Sequence, residues 1–262
     1  MRKKILLICT AFLLCAATGC SGNSPSVTEV SAAGTAPASE DAAVSEEISA
    51  QLSLIAANAS VWVQDASYGT VYQYTVTDLD QNGRLEVIAA SLQGTGLYTY
   101  SCFFEVNEAR DGLTAVTLPW EEYDAGPDII VSAADVYYDS ASQLYHYLFT
   151  DVTRNGAAES YTSENSLTLK DSVLENAVLA RRSEVYSDEE TSTVTCELAD
   201  GTSITQEAYD SIADTTYGSL ERRTASFSWY SASESTNLAA IDSDSIYDIL
   251  LGCYQGFSLT TP

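Results

Sequence analysis

One stretch of this chain is written twice, and its pattern limits the fold. Residues 72–86 read YQYTVTDLDQNGRLE and residues 145–159 read YHYLFTDVTRNGAAE. Aligned without gaps, Tyr72 and Tyr145, Tyr74 and Tyr147, Thr77 and Thr150, Asp78 and Asp151, Asn82 and Asn155, Gly83 and Gly156, and Glu86 and Glu159 coincide. Each copy opens with side chains alternating at period two, the signature of a strand. Each then carries Asn-Gly, which tolerates positive φ and favours a hairpin. A chain built on such units is organised around antiparallel pairs of strands.

The flanking segments extend that reading. Ser45 is placed to cap a short helix, with Glu46 and Glu47 in its first turn, where acidic groups suit the helix dipole. Ile48, Leu52 and Ile55 share one face of it, and Asn58 ends it. Strands are expected at 71–76, 86–92, 97–106 and 113–118, with turns at Gly94-Thr95-Gly96 and Asp111-Gly112. A second hairpin is expected over 134–138 and 143–149, and later strands near 166–170, 172–179, 192–198 and 225–230. Thr205 caps a helix over 206–213, with Ile204 and Tyr209 forming a hydrophobic staple. Residues 242–254 close the chain as a helix. The predicted fold class is α+β and β-rich: antiparallel meander sheets with a few peripheral helices.

Charge excludes one class of function. The chain has 11 Lys and Arg against 37 Asp and Glu, a formal charge of −26. Nucleic-acid binding needs a phosphate-neutralising surface, and this balance gives none. Anionic lipid is equally unsuited as an electrostatic dock. An acidic surface keeps an exported protein soluble and favours cations.

The N-terminus points to export. Arg2, Lys3 and Lys4 precede an apolar run over 5–16 that is shorter than a membrane-spanning helix needs. Ala17-Thr18-Gly19-Cys20 follows and resembles a bacterial lipobox. That resemblance implies cleavage after a signal peptide of residues 1–19 and lipid attachment at Cys20. Residues 20–43 then form a flexible tether of small polar residues. Residues 44–262 form a β-rich extracytoplasmic domain, with a subdivision near 120–130 as an option. Cys102, Cys196 and Cys253 remain, as one bridge and one thiol or as three buried thiols.

The first repeat carries chemistry as well as a turn. Carboxylates at every second residue of a tight loop converge on one centre, and a hard cation takes oxygen ligands there. Asp78, Asp80, Asn82, the Arg84 carbonyl and Glu86 are the expected ligands. The run resembles the start of an EF-hand-like calcium loop, and it departs from an EF-hand at the twelfth position, where Ala89 replaces glutamate. It is closer to the short calcium loops that join strands in extracellular repeat proteins. More broadly, the lipobox, the tether, the capped helix, the loop and the run from Ile204 to Tyr209 resemble a set of exported lipoproteins from Gram-positive bacteria. The resemblance implies location and structural calcium, and no activity. Asp151, Asn155 and Glu159 form a weaker second set, because Thr153 replaces the second aspartate.

Other chemistry is sparse. Seventeen tyrosines, several spaced two apart, suit sheet packing, with ligand stacking as the alternative. His146 is the single histidine and sits within an alternating strand. Glu121, Glu122 and Asp124 beside Trp120 are the carboxylates available to a glycan hydrolase. The preferred expectation is a non-catalytic lipoprotein at the outer face of the cell membrane. It is held by its N-terminal lipid and binds an extracellular ligand or envelope partner. The alternative is a cell-surface hydrolase with paired carboxylates.

Overall fold

The computed structural model describes residues 44–261, except 67–69, 96, 122–123, 188–191, 234–235 and 237. The signal segment, Cys20 and the tether therefore lie outside the described residues, as do Gly96 and Glu122. Residues Val44–Pro262 form one compact unit. It is a β-rich α+β fold.

Helix α1 (Glu46–Ala57) begins where the sequence places it: the Ser45 side chain accepts a hydrogen bond from the Ile48 amide. A short helix α2 (Ala59–Trp62) follows. Strands β1 (Tyr72–Thr77), β2 (Glu86–Gln93), β3 (Tyr98–Val106) and β4 (Leu113–Ala115) form the expected meander. Strands β5 (Ala133–Asp139), β6 (Leu144–Asn155), β7 (Glu159–Lys170), β8 (Val173–Tyr186), β9 (Ser192–Leu198) and β10 (Ser203–Ile204) continue the antiparallel pattern. Helices α3 (Gln206–Asp210) and α4 (Ile212–Tyr217) lead to β11 (Glu221–Ser226) and β12 (Tyr230–Ala232). Helix α5 (Ser243–Gly256), capped by Asp242, and β13 (Ser258–Thr260) end the fold.

The strands divide into two sheets. One runs β12-β1-β2-β3-β4, and the other β10-β9-β8-β7-β6-β5-β11-β13. The expected strand over 225–230 is thus split: β11 joins the large sheet and β12 pairs with β1 in the small one. The 113–118 strand is shorter than expected, because the chain leaves β3 after the Val116 amide bonds to Phe103, and Thr117 bonds instead to Ser172 in the β7–β8 turn and to Leu174 of β8.

Three apolar clusters explain the layering. On one face of the small sheet, Tyr74, Val76, Val87 and Ala89 pack with Leu52 and Ile55 of α1 and Ile246 and Leu250 of α5. On its other face, Ile88, Ala90 and Phe103 meet Val136, Tyr147, Phe149, Leu167 and Leu174 of the large sheet. Strand β2 is consequently buried on both faces, which is why it reads as a run of apolar residues rather than an alternation. On the outer face of the large sheet, Ala180 and Cys196 pack against Tyr209. His146 lies on that face, with its ring stacked 4.6 Å from Tyr217 and Nδ1 3.3 Å from Ser166 Oγ. Burial holds its pKa below the ordinary value. Tyr74, Tyr137, Tyr147 and Tyr209 are buried, whereas Tyr98, Tyr161 and Tyr186 are exposed. Cys102, Cys196 and Cys253 are free thiols.

Candidate metal centre

The loop over 78–85 crosses from β1 to β2, and its flanking pair is Thr77 opposite Glu86. It is longer than a two-residue Asn-Gly turn. Positive φ falls on Gln81 (57°) and Gly83 (78°), and Asn82 does not take it. The loop bends twice, and both bends turn carboxylates inward. The Gly83 amide donates to Asp78 Oδ2 at 3.2 Å, and the Asn82 amide donates to Asp80 Oδ1 at 3.3 Å.

Alternation along β2 sends Glu86 to the face between the two sheets, together with Thr77 on β1 and Glu105 on β3. Glu86 is 0% exposed. Its Oε2 accepts from Thr77 Oγ1 (2.9 Å) and from the Leu79 amide (2.8 Å). Its Oε1 is buried and has no hydrogen-bond partner among the described residues. A buried acceptor without a donor costs about 1–3 kcal/mol, and more when charged. One oxygen each of Asp78, Asp80 and Glu86 lie within 4.8 Å of one another. The carboxylate of Glu86, with one oxygen unpartnered, thus belongs to a converging set of acids.

The cluster is short of positive charge. Glu105, also fully buried, adds a fourth carboxylate directly across from Glu86. Its Oε1 accepts from Arg84 (2.8 Å) and from Asn82 Nδ2 (2.8 Å), and its Oε2 from the Ser172 hydroxyl. Burial is the largest influence on the other three. It pushes Asp78 up to about 6, aided by Asp80 and opposed by the Gly83 and Asn82 amides. Asp80 is raised by burial and by Glu105, and Glu86 well above its ordinary range by burial, against the Leu79 bond. Both effects reflect the cost of ionising neighbouring acids away from water.

Of the expected ligands, then, the structure brings Asp78, Asp80 and Glu86 together. Asn82 turns its amine toward Asp80 Oδ2 (2.9 Å) and Glu105, while its Oδ1 accepts from the Arg84 amide (2.7 Å). Arg84 takes part through that amide and its guanidinium. The second set is not assembled. Asp151 sits within β6 opposite Ser163, whereas Asn155 and Glu159 pair at the strand ends, with Asn155 Nδ2 2.9 Å from Glu159 Oε2. Four residues of strand separate Asp151 from Asn155, about 13 Å at the usual rise. Of the hydrolase carboxylates, Glu121 and Asp124 are exposed.

Several members of the site carry no local signature. Gln51 on α1 donates to the Gly83 carbonyl (2.9 Å) and accepts from the Leu85 amide (2.9 Å). Tyr147 on β6 donates to the Leu79 carbonyl at 2.7 Å. Ser172 reaches Glu105 from the β7–β8 turn. The loop is therefore held by the helix layer and by both sheets. The one available signal is Glu105 itself, a charged residue between Phe104 and Val106 in a run that is otherwise apolar on both faces.

Comparison with known proteins gives no further guide: the chain matches no protein-family model, and no curated protein or solved structure is significantly similar to it. Among the described residues, no helix is long and apolar enough to cross a membrane.

Proposed function

We propose that the chain is an exported, lipid-anchored binding module whose loop over 78–85 is held closed by a calcium ion. Asp78, Asp80 and Glu86 are the carboxylate ligands. The observation that carries this reading is the buried, unpartnered Oε1 of Glu86, whose carboxylate lies within 4.8 Å of the nearest oxygens of two aspartates. A divalent cation supplies the partner this oxygen lacks and offsets the mutual repulsion of the acids. Calcium fits better than zinc, because the donors are hard oxygens with no thiolate or imidazole among them. Export rests on the N-terminal segment and on Cys20, which supplies the anchor at the outer face of the cell membrane. Binding of an extracellular ligand or envelope partner is the role that a tethered, acidic, cation-locked domain serves.

Thermal melting tests the metal. The full chain should melt higher in calcium than in chelator. At a calcium level a hundredfold above Kd the gain is about 2.7 kcal/mol, or roughly 5–11 °C for a domain of this size. Identical midpoints would remove the metal. Cell fractionation tests the anchor: Cys20→Ser should move the protein from membranes to the medium, and unchanged membrane association would refute the lipid attachment.

A further inference from the structure

The face of the large sheet that meets the small sheet does not end where the small sheet ends. Register places its side chains in rows. Nearest the core are Leu169 with Leu174, and Tyr147 with Leu167 and Asn176. Next come Phe149, Asn165 and Val178, where β8 is irregular between the partners of Glu164 and Asn165. Beyond that irregularity the rows become polar: Asp151, Ser163, Arg181 and Glu197, then Thr153, Tyr161, Ser183 and Thr195. The apolar rows are covered by the small sheet. The polar rows line an open hollow of about 340 Å³. A second hollow of about 270 Å³ lies between Asn165, Asn176 and Val178 on the sheet and the segment carrying Trp120, Gly126 and Pro127. Asp151 and Ser163 line both, so the two hollows meet in one groove.

We propose that this groove binds an uncharged glycan chain. Its lining is the chemistry that such a ligand requires. Hydroxyls and amides, able both to donate and to accept, dominate the floor. Two aromatic side chains stand along it: Trp120, half-buried with its ring against Gly126, and Tyr161, which is 44% exposed. Aromatic faces stack on the C–H surfaces of sugar rings while the polar floor takes their hydroxyls. The carboxylates on the floor, Asp151 and Glu197, share it with Arg181, so the groove lacks the strong single-sign field that a polyanion or polycation would need. Among the described residues lining it, none form a deep apolar pocket of the kind that anchors a peptide side chain. At the wall of the second hollow, Asn176 Oδ1 is buried and has no hydrogen-bond partner among the described residues, while Asn176 Nδ2 is directed at Asn165 Oδ1. Asp151 is pushed up to about 6 by burial and by nearby Asp128, so near neutrality it can accept hydrogen bonds from sugar hydroxyls, and in mild acid it can donate one.

The inference rests on the reading of the domain as a binding module, and it is independent of the cation. The test is titration calorimetry of the full chain, in calcium, with cellohexaose, xylohexaose, mannohexaose and chitohexaose. At least one should bind. Trp120→Ala, Asp151→Asn and Ser163→Trp, the last filling the floor, should each weaken that binding at least about tenfold, or 1.4 kcal/mol. Each variant should keep the wild-type calcium-dependent rise in melting temperature, which separates failure of the groove from failure of the metal centre. If Trp120→Ala does not fold, the other two variants decide. Release of shorter oligosaccharides during the titration also supports the groove, since cleavage requires binding. Four hexasaccharides without detectable heat, variants that bind as the wild type does, or capture of an extended Ser/Asn-rich peptide in place of all four sugars would overturn the proposal.

Discussion

The two copies of the repeated motif share seven positions, yet one folds into a loop and the other is drawn out as strand. In the first, pairing stops at Thr77 opposite Glu86, and eight residues form the loop between them. In the second, the counterpart of Thr77 is Thr150, which pairs with Glu164, and pairing runs on to Asn155 opposite Glu159. Only Gly156, Ala157 and Ala158 are left to turn. The difference begins locally. Val152-Thr153 replaces Leu79-Asp80, and two β-branched residues favour strand where Leu-Asp favours a bend. It is completed by burial. Leu79 and Leu85 are buried, and Gln51 and Tyr147 clamp the first loop. Ala157 and Ala158 offer no such anchor, and the second turn stays in solvent. A ligand pattern read along the chain thus becomes a site only where the chain stops pairing and something holds the loop down.

The largest test of that contrast removes the glutamate from each copy. Glu86→Ala leaves the Thr77 hydroxyl and Leu79 amide without their acceptor inside the protein and removes a proposed metal ligand. The expected loss in calcium is on the order of 3 kcal/mol, read from denaturant unfolding. Glu159 is half-buried near the tip of its hairpin, bonded only to Asn155 and Tyr161 among the described side chains, and Glu159→Ala should leave the unfolding midpoint nearly unchanged. Comparable losses in the two variants would mean that the first loop is no more a site than the second.

The next test uses acid. Without calcium, Asp78 is raised to about 6, Asp80 is raised, and Glu86 is raised well above its ordinary range. Groups that hold protons more tightly when folded contribute stability that is fully present below the unfolded pKa, about 4 for these acids. That contribution is lost as pH rises through about 6 and beyond. Calcium binds the ionised forms, so its benefit grows over the same window. The difference in melting temperature between calcium-loaded and calcium-free protein should therefore widen from about pH 5 to about pH 7.5. In Glu86→Gln the difference should be small and flat. A difference in the wild type that is constant across this range would argue that the acids are ionised in the empty site.

Much of the fold was legible because its signals are local. The Ser45, Thr205 and Asp242 caps each accept a backbone amide three residues on, and the alternation of β1 and β3 and the apolar run of β2 place their strands within a residue or two. The distal halves of β7 and β8 were not legible. Their Ser, Thr, Glu and Arg residues pair fully but cover no apolar core, so period-two hydrophobicity never develops. The candidate metal centre divides in the same way. Asp78, Asp80 and Glu86 stand in one short run. Glu105, Gln51, Tyr147 and Ser172 reach it from four other elements, and only the packing of the layers brings them there. The Asn-Gly pair signalled a reversal correctly and its geometry incorrectly, because Gln81 rather than Asn82 takes the left-handed conformation.

The smallest expected effect is the sharpest test of that division. Thr153→Asp restores the missing carboxylate of the second copy, so that together with Asp151, Asn155 and Glu159 it reproduces the first copy's ligand spacing. If spacing along the chain were sufficient, calorimetry would then report two calcium ions per chain. With the proposed site in the first loop alone, the count should stay at one. Alternation along β6 puts positions 151, 153 and 155 on one face of a paired strand, about 6.6 Å apart in turn, which is too far for oxygens that must converge within about 2.6 Å of one ion. The reciprocal change, Asp80→Thr, leaves the first loop clamped by Gln51 and Tyr147 but removes one oxygen of the triad. It should weaken calcium binding at least about tenfold with the fold retained by circular dichroism. A second bound ion in Thr153→Asp would show that ligand spacing, and not the interruption of strand pairing, is what makes the first copy a site.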